Sequence, residues 1–310
     1  MSSSAARARS MGFFAPSGFL PDPTVIDRAA QYLSERGWRV SAGESVFARE
    51  QRFAGPDALR ASELQCFATD QNLDVAVAAR GGYGLSRILN QIDYSAVAAR
   101  GLPVVGYSDF TAFNLALLSQ AGGISFQGPT AVDFSGHAES TFTMEHFFGA
   151  ISRSPYTVEF DTTDANRGES VDVAGRLWGG NLAMVCSLLG TPYFPNVRGG
   201  ILFLEDVNEP TYRIERMLLQ LLHGGILQRQ KAILLGDFLS IPSMPNDAGF
   251  DLAAVWTNLR SRLSAPLITG LPFGHGRRRL TLPVGAQARL SVREGQAQLQ
   301  FRGHPILRNK

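Results

Sequence analysis

Ser108 is the candidate nucleophile of this 310-residue chain. The segment Gly106-Tyr107-Ser108-Asp109-Phe110 follows the short apolar run Pro103 to Val105 and precedes a helical pattern with Leu115, Leu118 and Ala121 in register. Ser108 therefore falls at a strand-to-helix turn. Such a turn lifts a side chain to the edge of a sheet and sets backbone N–H groups and the helix dipole beside it. The segment lacks the second glycine of the G-x-S-x-G elbow, and a serine here serves a helix equally well as its N-cap. Local pattern leaves both roles open.

A serine needs a base, and the chain holds five histidines: His137, His146, His223, His275 and His304. His137 and His146 fall in a polar stretch, His223 in a last helical turn where it can serve the dipole, and His304 in the C-terminal tail. His275 alone is framed by glycines, in Pro272-Phe273-Gly274-His275-Gly276 directly after a strand pattern. That framing holds a side chain at a rim, although a structural histidine is the alternative. The base in turn needs a carboxylate that fixes its tautomer and stabilises the imidazolium. Glu205 and Asp206 both follow the apolar run Ile201 to Leu204. The two-residue strand period sends them to opposite faces, so only one can face a cleft, and pattern does not choose between them.

Charge developing on a carbonyl oxygen would be met by preorganised N–H groups. The backbone of Asp109 qualifies, and so does the loop Arg80-Gly81-Gly82-Tyr83-Gly84, where missing side chains allow close approach. Neither G-x-G-x-x-G nor a Gly-Lys-Ser/Thr terminus is present, which argues against a phosphate loop. No His-x-x-x-His or carboxylate cluster has a metal's spacing, so no metal is expected. Arg277, Arg278 and Arg279 form a basic triplet after His275, readable as a solvated loop or as a clamp for a substrate carboxylate.

The elements that must position these groups follow from periodicity. Strand patterns at Met11 to Ala15, Trp38 to Val40, Val75 to Ala79 and Pro103 to Val105 alternate with helical ones at Thr24 to Arg36, Ala58 to Thr69, around Leu85 to Leu89 and after Phe110. Such alternation forces parallel strands joined by covering helices, an α/β layer. The stretch Ser152 to Ser170 is polar and reads as a linker. Beyond it come a helix over Leu182 to Leu189, the strand Ile201 to Leu204, a helix after Pro210 carrying Ile214, Met217, Leu218 and Leu221, and strands at Ala232 to Leu235, Leu267 to Thr269, Gln287 to Val292 and Gln296 to Phe301. The expected division is an N-terminal α/β domain over 1–150, a linker over 151–175 and a C-terminal domain over 176–310.

Composition narrows the class. With 45% hydrophobic and 18% charged residues the chain can bury a core, and a formal net charge of +2 gives no basic face for nucleic acid. Pro16, Ser17 and Gly18 interrupt the apolar stretch from Met11 to Leu20, and no run approaches the about 18 apolar residues of a spanning helix. A soluble, cytoplasmic protein without membrane partners is expected. Cys66 and Cys186 lack C-x-x-C spacing and read as small buried thiols, reduced in the cytosol.

Together these segments resemble the LD-carboxypeptidase family of serine peptidases, in order and over nearly the whole chain. The resemblance is carried by Ala15-Pro16-Ser17-Gly18, Arg80-Gly81-Gly82-Tyr83-Gly84, Val105-Gly106-Tyr107-Ser108-Asp109, Gly128-Pro129, Gly179-Gly180-Asn181-Leu182 with Gly190-Thr191, Leu204-Glu205-Asp206 with Tyr212 and Arg216, and Gly274-His275 before Leu282-Pro283-Val284-Gly285. It implies a triad of Ser108, His275 and Glu205, with Asp206 only a neighbour, and oxyanion donors at the backbone of Gly82 and Asp109. Tyr83, Tyr107, Trp178 and Asn181 become the expected substrate contacts.

The implied fold is a parallel-sheet α/β domain followed by a smaller β-rich domain, with the triad astride their interface. The implied reaction is hydrolysis of the amide between the L-centre of meso-diaminopimelate or lysine and terminal D-alanine in murein tetrapeptides, for cell-wall recycling, with no cofactor and with a homodimer as the assembly. A related reading is a microcin-immunity amidase, which shares the triad but cleaves an aminoacyl group from a sulfamoyl-adenylate-type nucleotide. A third is a non-catalytic small-molecule binding domain. In that case Ser108, Glu205 and His275 lie far apart.

Overall fold

The computed structural model describes residues 8–134, 141–163, 166, 168, 170–242 and 244–308; His137 lies outside them. Near-continuous apolar runs become strands covered on both faces, as parallel sheets require. β1 (Arg9–Phe14), β2 (Trp38–Ala42), β3 (Val75–Ala78), β4 (Val104–Gly106) and β5 (Ser125–Gln127) pair in parallel in the order β2-β1-β3-β4-β5. β11 (Leu282–Val284) returns from the C-terminal part to close the β5 edge in antiparallel fashion.

Around this sheet lie α1 (Val25–Ser34), α2 (Asp57–Thr69), α3 (Tyr94–Arg100), α4 (Thr111–Ala121) and α5 (Thr141–Ser152). α1 buries Val25, Ile26, Ala29 and Leu33, an apolar stripe at helical spacing. α4 is different. Every residue from Thr111 to Leu118 is buried, so this part of the helix is enclosed on all sides and packs against the strand Val171–Asn181 of the second sheet as well as β5. Its sequence from Thr111 to Leu118 is mostly apolar on every side, and the two polar side chains there, Thr111 and Asn114, are hydrogen-bonded to Gln127.

The second sheet contains β6 (Tyr156–Asp161), β7 (Val171–Asn181), β8 (Ile201–Val207), β9 (Ala232–Leu239), β10 (Leu267–Thr269), β12 (Gln287–Arg293) and β13 (Gln296–Arg302), in the order β10-β9-β8-β7-β12-β13-β6. Its first four strands are parallel and the rest antiparallel. α6 (Leu182–Ser187), α7 (Thr211–His223) and α8 (Leu252–Arg260) accompany the parallel half. β12 and β13 alternate buried and exposed residues because one face of the antiparallel half meets water. The chain thus has the expected α/β fold, with a parallel sheet first and a β-rich second part.

Several local expectations are corrected. Leu85 to Leu89 forms no α-helix but two short 3-10 turns, Leu85–Arg87 and Leu89–Gln91. Helix begins only at Tyr94, where the Asp93 carboxylate caps the Ala96 N–H at 3.0 Å. The polar stretch read as a linker contains β6, hydrogen-bonded to β13 along its length. Its exposed residues are the wet face of a strand, which polarity alone does not separate from a loop. His146 stands in helix α5 and meets the Tyr156 hydroxyl through Nδ1 at 3.0 Å. Cys186 is buried, but Cys66 is exposed on α2; both are free thiols. Among the described residues no helix is long and apolar enough to cross a membrane.

Candidate active site

The carboxyl ends of the parallel strands of both sheets converge on one crevice, the place where open α/β sheets present ligands. β4 ends at Gly106 and delivers Ser108, β3 ends at Ala78 and delivers the Gly81-Gly82 loop, β8 delivers Glu205, β7 delivers Asn181, and the loop after β10 carries His275. Ser108 sits in a 3-10 turn leading into α4 with φ +64°, a left-handed conformation that non-glycine residues rarely adopt. Its side chain caps no helix. Instead the hydroxyl is 3.2 Å from His275 Nε2.

His275 Nδ1 donates to Glu205 Oε2 at 2.7 Å. That bond fixes the tautomer, leaving Nε2 to accept the Ser108 proton. Ser108, His275 and Glu205 are therefore one hydrogen-bonded chain, not the three scattered groups of a passive binding domain. Hydroxyl, imidazole and carboxylate in this order can activate the hydroxyl for attack on a carbonyl.

Glu205 is fully buried, and Asn181 is what steadies it. The Asn181 amide donates to Glu205 Oε1 at 3.2 Å and to Asp206 Oδ1 at 2.9 Å, while its own oxygen accepts from Met184 N at 3.1 Å. One amide reaches both carboxylates, although strand alternation puts neighbouring side chains on opposite faces. The physical reason is a register shift between Leu204 and Asp206 in the β8 to β9 pairing. Asp206 then turns to the start of α6 and accepts from Ala183 N at 2.9 Å. Burial pushes its carboxyl up to about 6, with the Glu205 charge adding to the rise against hydrogen bonds from Val207 and Asn181.

The Gly81-Gly82 loop lies against Ser108. A Cβ on Gly81 would stand 2.9 Å from Ser108 Cβ and 3.2 Å from Oγ. The Asp109 side chain ties the two loops together by accepting from Leu85 N at 2.9 Å. Burial raises its carboxyl above the ordinary value, opposed chiefly by that bond.

The other expected contacts divide. Tyr83 is exposed beside this loop. Tyr107 packs edge-on against His275, ring centroids 5.1 Å apart. Trp178 is fully buried and donates its indole N–H to Gln230 at 3.0 Å, so it is a core residue rather than a substrate contact. Asn181, committed to Glu205, Asp206 and Met184, is a positioning residue. The segment Trp178-Gly179-Gly180-Asn181 gives no sign in sequence of which way either side chain is used.

The basic triplet also divides. Arg277 and Arg278 are exposed, and Arg278 stacks on Phe142 at 4.2 Å. Arg279 is buried and already occupied: Nη1 donates to both Asp133 carboxylate oxygens at 2.9 Å, and Nε donates to Gly274 O at 2.8 Å. A carboxylate clamp is therefore excluded for Arg279. Asp237, beside the His275 loop, was invisible to pattern; burial and then the Glu205 charge raise its carboxyl above the ordinary range. Among the described residues no group of His, Cys, Asp and Glu is arranged to hold a metal.

Comparison with known proteins extends this geometry. Residues 11–128 match the model of the LD-carboxypeptidase N-terminal domain, and residues 174–290 that of the LD-carboxypeptidase C-terminal domain. A putative carboxypeptidase of Streptomyces coelicolor is 34% identical, the match covering 92% of this chain and 91% of that one. The crystal structure of muramoyltetrapeptide carboxypeptidase from Oxalobacter formigenes superposes with a TM-score of 0.88 at 41% identity, covering 96% of this chain and 99% of that one. The microcin C7 self-immunity protein MccF, in complex with glutamyl sulfamoyl guanosine, shares the fold at a TM-score of 0.84 and 22% identity, with 97% and 98% of the chains covered.

Proposed function

Since the chain belongs to the LD-carboxypeptidase family of serine peptidases, we propose that it hydrolyses the amide between an L-diamino acid centre and terminal D-alanine in murein tetrapeptides. The single observation that carries the mechanism is the unbroken hydrogen-bonded chain Ser108, His275, Glu205. The reading of the substrate is supported by the 41% identity to the muramoyltetrapeptide carboxypeptidase over almost the full length of both chains.

In this mechanism Ser108 Oγ attacks the carbonyl carbon of the diamino acid while its proton passes to His275 Nε2. Glu205 holds the imidazole tautomer and stabilises the imidazolium. The backbone N–H groups of Gly82 and Asp109 take the charge developing on the carbonyl oxygen. Support for this pair comes from the contact of the glycine loop with Ser108 and from the place of Asp109 directly after the nucleophile at a helix start. The imidazolium returns its proton to the leaving D-alanine amine, and water then cleaves the acyl-enzyme. Tyr83 and Tyr107 flank the site as substrate contacts. No resident cofactor takes part in these steps. The same reading carries a cytoplasmic recycling role and a homodimeric assembly, the latter checked by sedimentation.

The test is incubation of the protein with murein tetrapeptide, with D-alanine as the measured product. The wild-type chain releases D-alanine, and Ser108→Ala and His275→Ala release none above background. An aminoacyl-sulfamoyl-adenosine offered in parallel separates this reading from the immunity-amidase one. Cleavage of the nucleotide analogue without D-alanine release would overturn the substrate assignment.

A further inference from the structure

Arg279 touches both halves of the crevice at once. Its Nε donates to the carbonyl of Gly274, the residue before the base, at 2.8 Å. Its guanidinium carbon lies 3.8 Å from the ring centroid of Tyr107, the residue before the nucleophile. That same ring packs against the His275 imidazole at 5.1 Å. Three further bonds anchor the arginine to the N-terminal half: Nη1 to both Asp133 carboxylate oxygens, and the backbone N–H to Thr143 Oγ1 at 3.0 Å. Asp133 is itself fixed, accepting from Thr130 N at 2.9 Å. The His275 loop runs from β10 of the second sheet to β11, which pairs with β5 of the first, and within it the Arg279 side chain ties the Gly274 carbonyl beside the base to Asp133 of the N-terminal half.

We propose that Arg279 is a positioning residue that sets the distance between His275 and Ser108 across the two sheets. The proposal rests on Ser108 and His275 acting as nucleophile and base. A planar guanidinium can donate to a carboxylate, donate to a carbonyl and stack on a ring simultaneously, which an ammonium cannot. Its role is geometric. A misplacement of about 1 Å in reacting groups costs on the order of 10²-fold in rate.

Two readouts are needed: kcat and KM for D-alanine release from murein tetrapeptide, and the rate at which a small fluorophosphonate labels Ser108, which needs the base but no peptide recognition. Arg279→Gln is expected to lower kcat on the order of 10²-fold with KM within about threefold, and to slow labelling in the same proportion. Arg279→Lys recovers little of this. Arg279→Ala regains about tenfold in both rates on addition of guanidinium at non-denaturing concentration, because the cation refills a preformed site. Asp133→Asn keeps the arginine but loosens its anchor, and lowers kcat by about tenfold, which covers the case that Arg279→Gln does not fold.

Wild-type kcat and labelling in folded Arg279→Gln or in Asp133→Asn would overturn the proposal, and so would a loss in Arg279→Ala that guanidinium leaves untouched. Wild-type protein that is labelled at Ser108 but releases no D-alanine removes the substrate assignment alone, and the variants are then judged on labelling. Wild-type protein that is not labelled at all removes both.

Discussion

With φ at +64°, Ser108 holds a conformation that costs a non-glycine residue about 1–2 kcal/mol. Its side chain gains no helix-capping bond in return; the return is a hydroxyl aimed at His275. The neighbouring Gly81 is not left-handed, so its φ does not bar alanine, whose Cβ would meet Ser108 Cβ at 2.9 Å, Ser108 Oγ at 3.2 Å and the Tyr107 carbonyl oxygen at 3.2 Å. Gly81→Ala should therefore reduce kcat on the order of 10²-fold while leaving the melting temperature close to wild type. A matched loss of activity and stability would point to a folding defect instead. Glu205→Gln removes the acceptor that fixes the tautomer while keeping the volume, and should lower kcat by about 10⁴-fold, read by steady-state D-alanine release. Ser108 and His275 were legible as candidates because each stands in a glycine-marked turn after a strand, whereas Glu205 lies within β8 with no glycine beside it and only the family resemblance separated it from Asp206. Asn181, Asp133 and Arg279 were not legible in their roles. What they do depends on partners far away in sequence, such as Asp133 for Arg279, and no local spacing records such a pairing.

At the scale of elements the crevice depends on α4 touching both sheets. Thr111, at its first turn, accepts from Gln127 Nε2 of β5 at 2.8 Å and from Asn181 N of β7 at 3.0 Å. One hydroxyl thus joins the strand next to β4, which leads to Ser108, to the strand next to β8, which carries Glu205. Gly180 is required at this junction, since a Cβ would stand 2.5 Å from both Thr111 Oγ1 and Gln127 Nε2. Thr111→Val keeps the volume but strands buried donors, at about 1–3 kcal/mol each. A loss of about 2–4 kcal/mol in urea unfolding is expected, together with lower kcat through Asn181; a change under about 0.5 kcal/mol would show that water replaces the hydroxyl. Periodicity located most strands and the amphipathic helices α1 and α7, whose apolar faces are long enough to repeat. It missed β5, β7, β11, α3, α5 and α8 and misjudged β6, for distinct reasons. β5 carries two polar residues in three and β11 a proline, and β6 and the first half of β7 read as polar because one face of each meets solvent.

Across the whole molecule, bringing two sheets together over a crevice buries acids that the unfolded chain leaves in water. Asp109, Asp206 and Asp237 all rise above their ordinary values, burial first among the causes. A carboxyl raised in the folded state contributes stability that is complete below its unfolded value and is lost as pH climbs through its folded value. For Asp206 that window runs from 3.8 to about 6, and the gap corresponds to about 3 kcal/mol. His146 and His304, lowered by burial, act in the opposite sense: their contribution is present above 6.5 and is lost as pH falls. Asp57, where desolvation is outweighed by the combined pull of Arg87 and Arg60, and Asp172, lowered by Arg289, both sit below the ordinary value and matter only below 3.8. The net slope between pH 4 and 7 is therefore a contest between histidines and buried acids, and the raw curve cannot assign it. Subtracting the Asp206→Asn curve cancels every group that does not interact with Asp206. The difference should show wild type losing about 3 kcal/mol relative to the variant between pH 4 and 7, measured by urea unfolding at stepped pH. Parallel curves would mean that Asp206 ionises as it does in water, and that its bonds from Ala183, Val207 and Asn181 fully offset its removal from solvent.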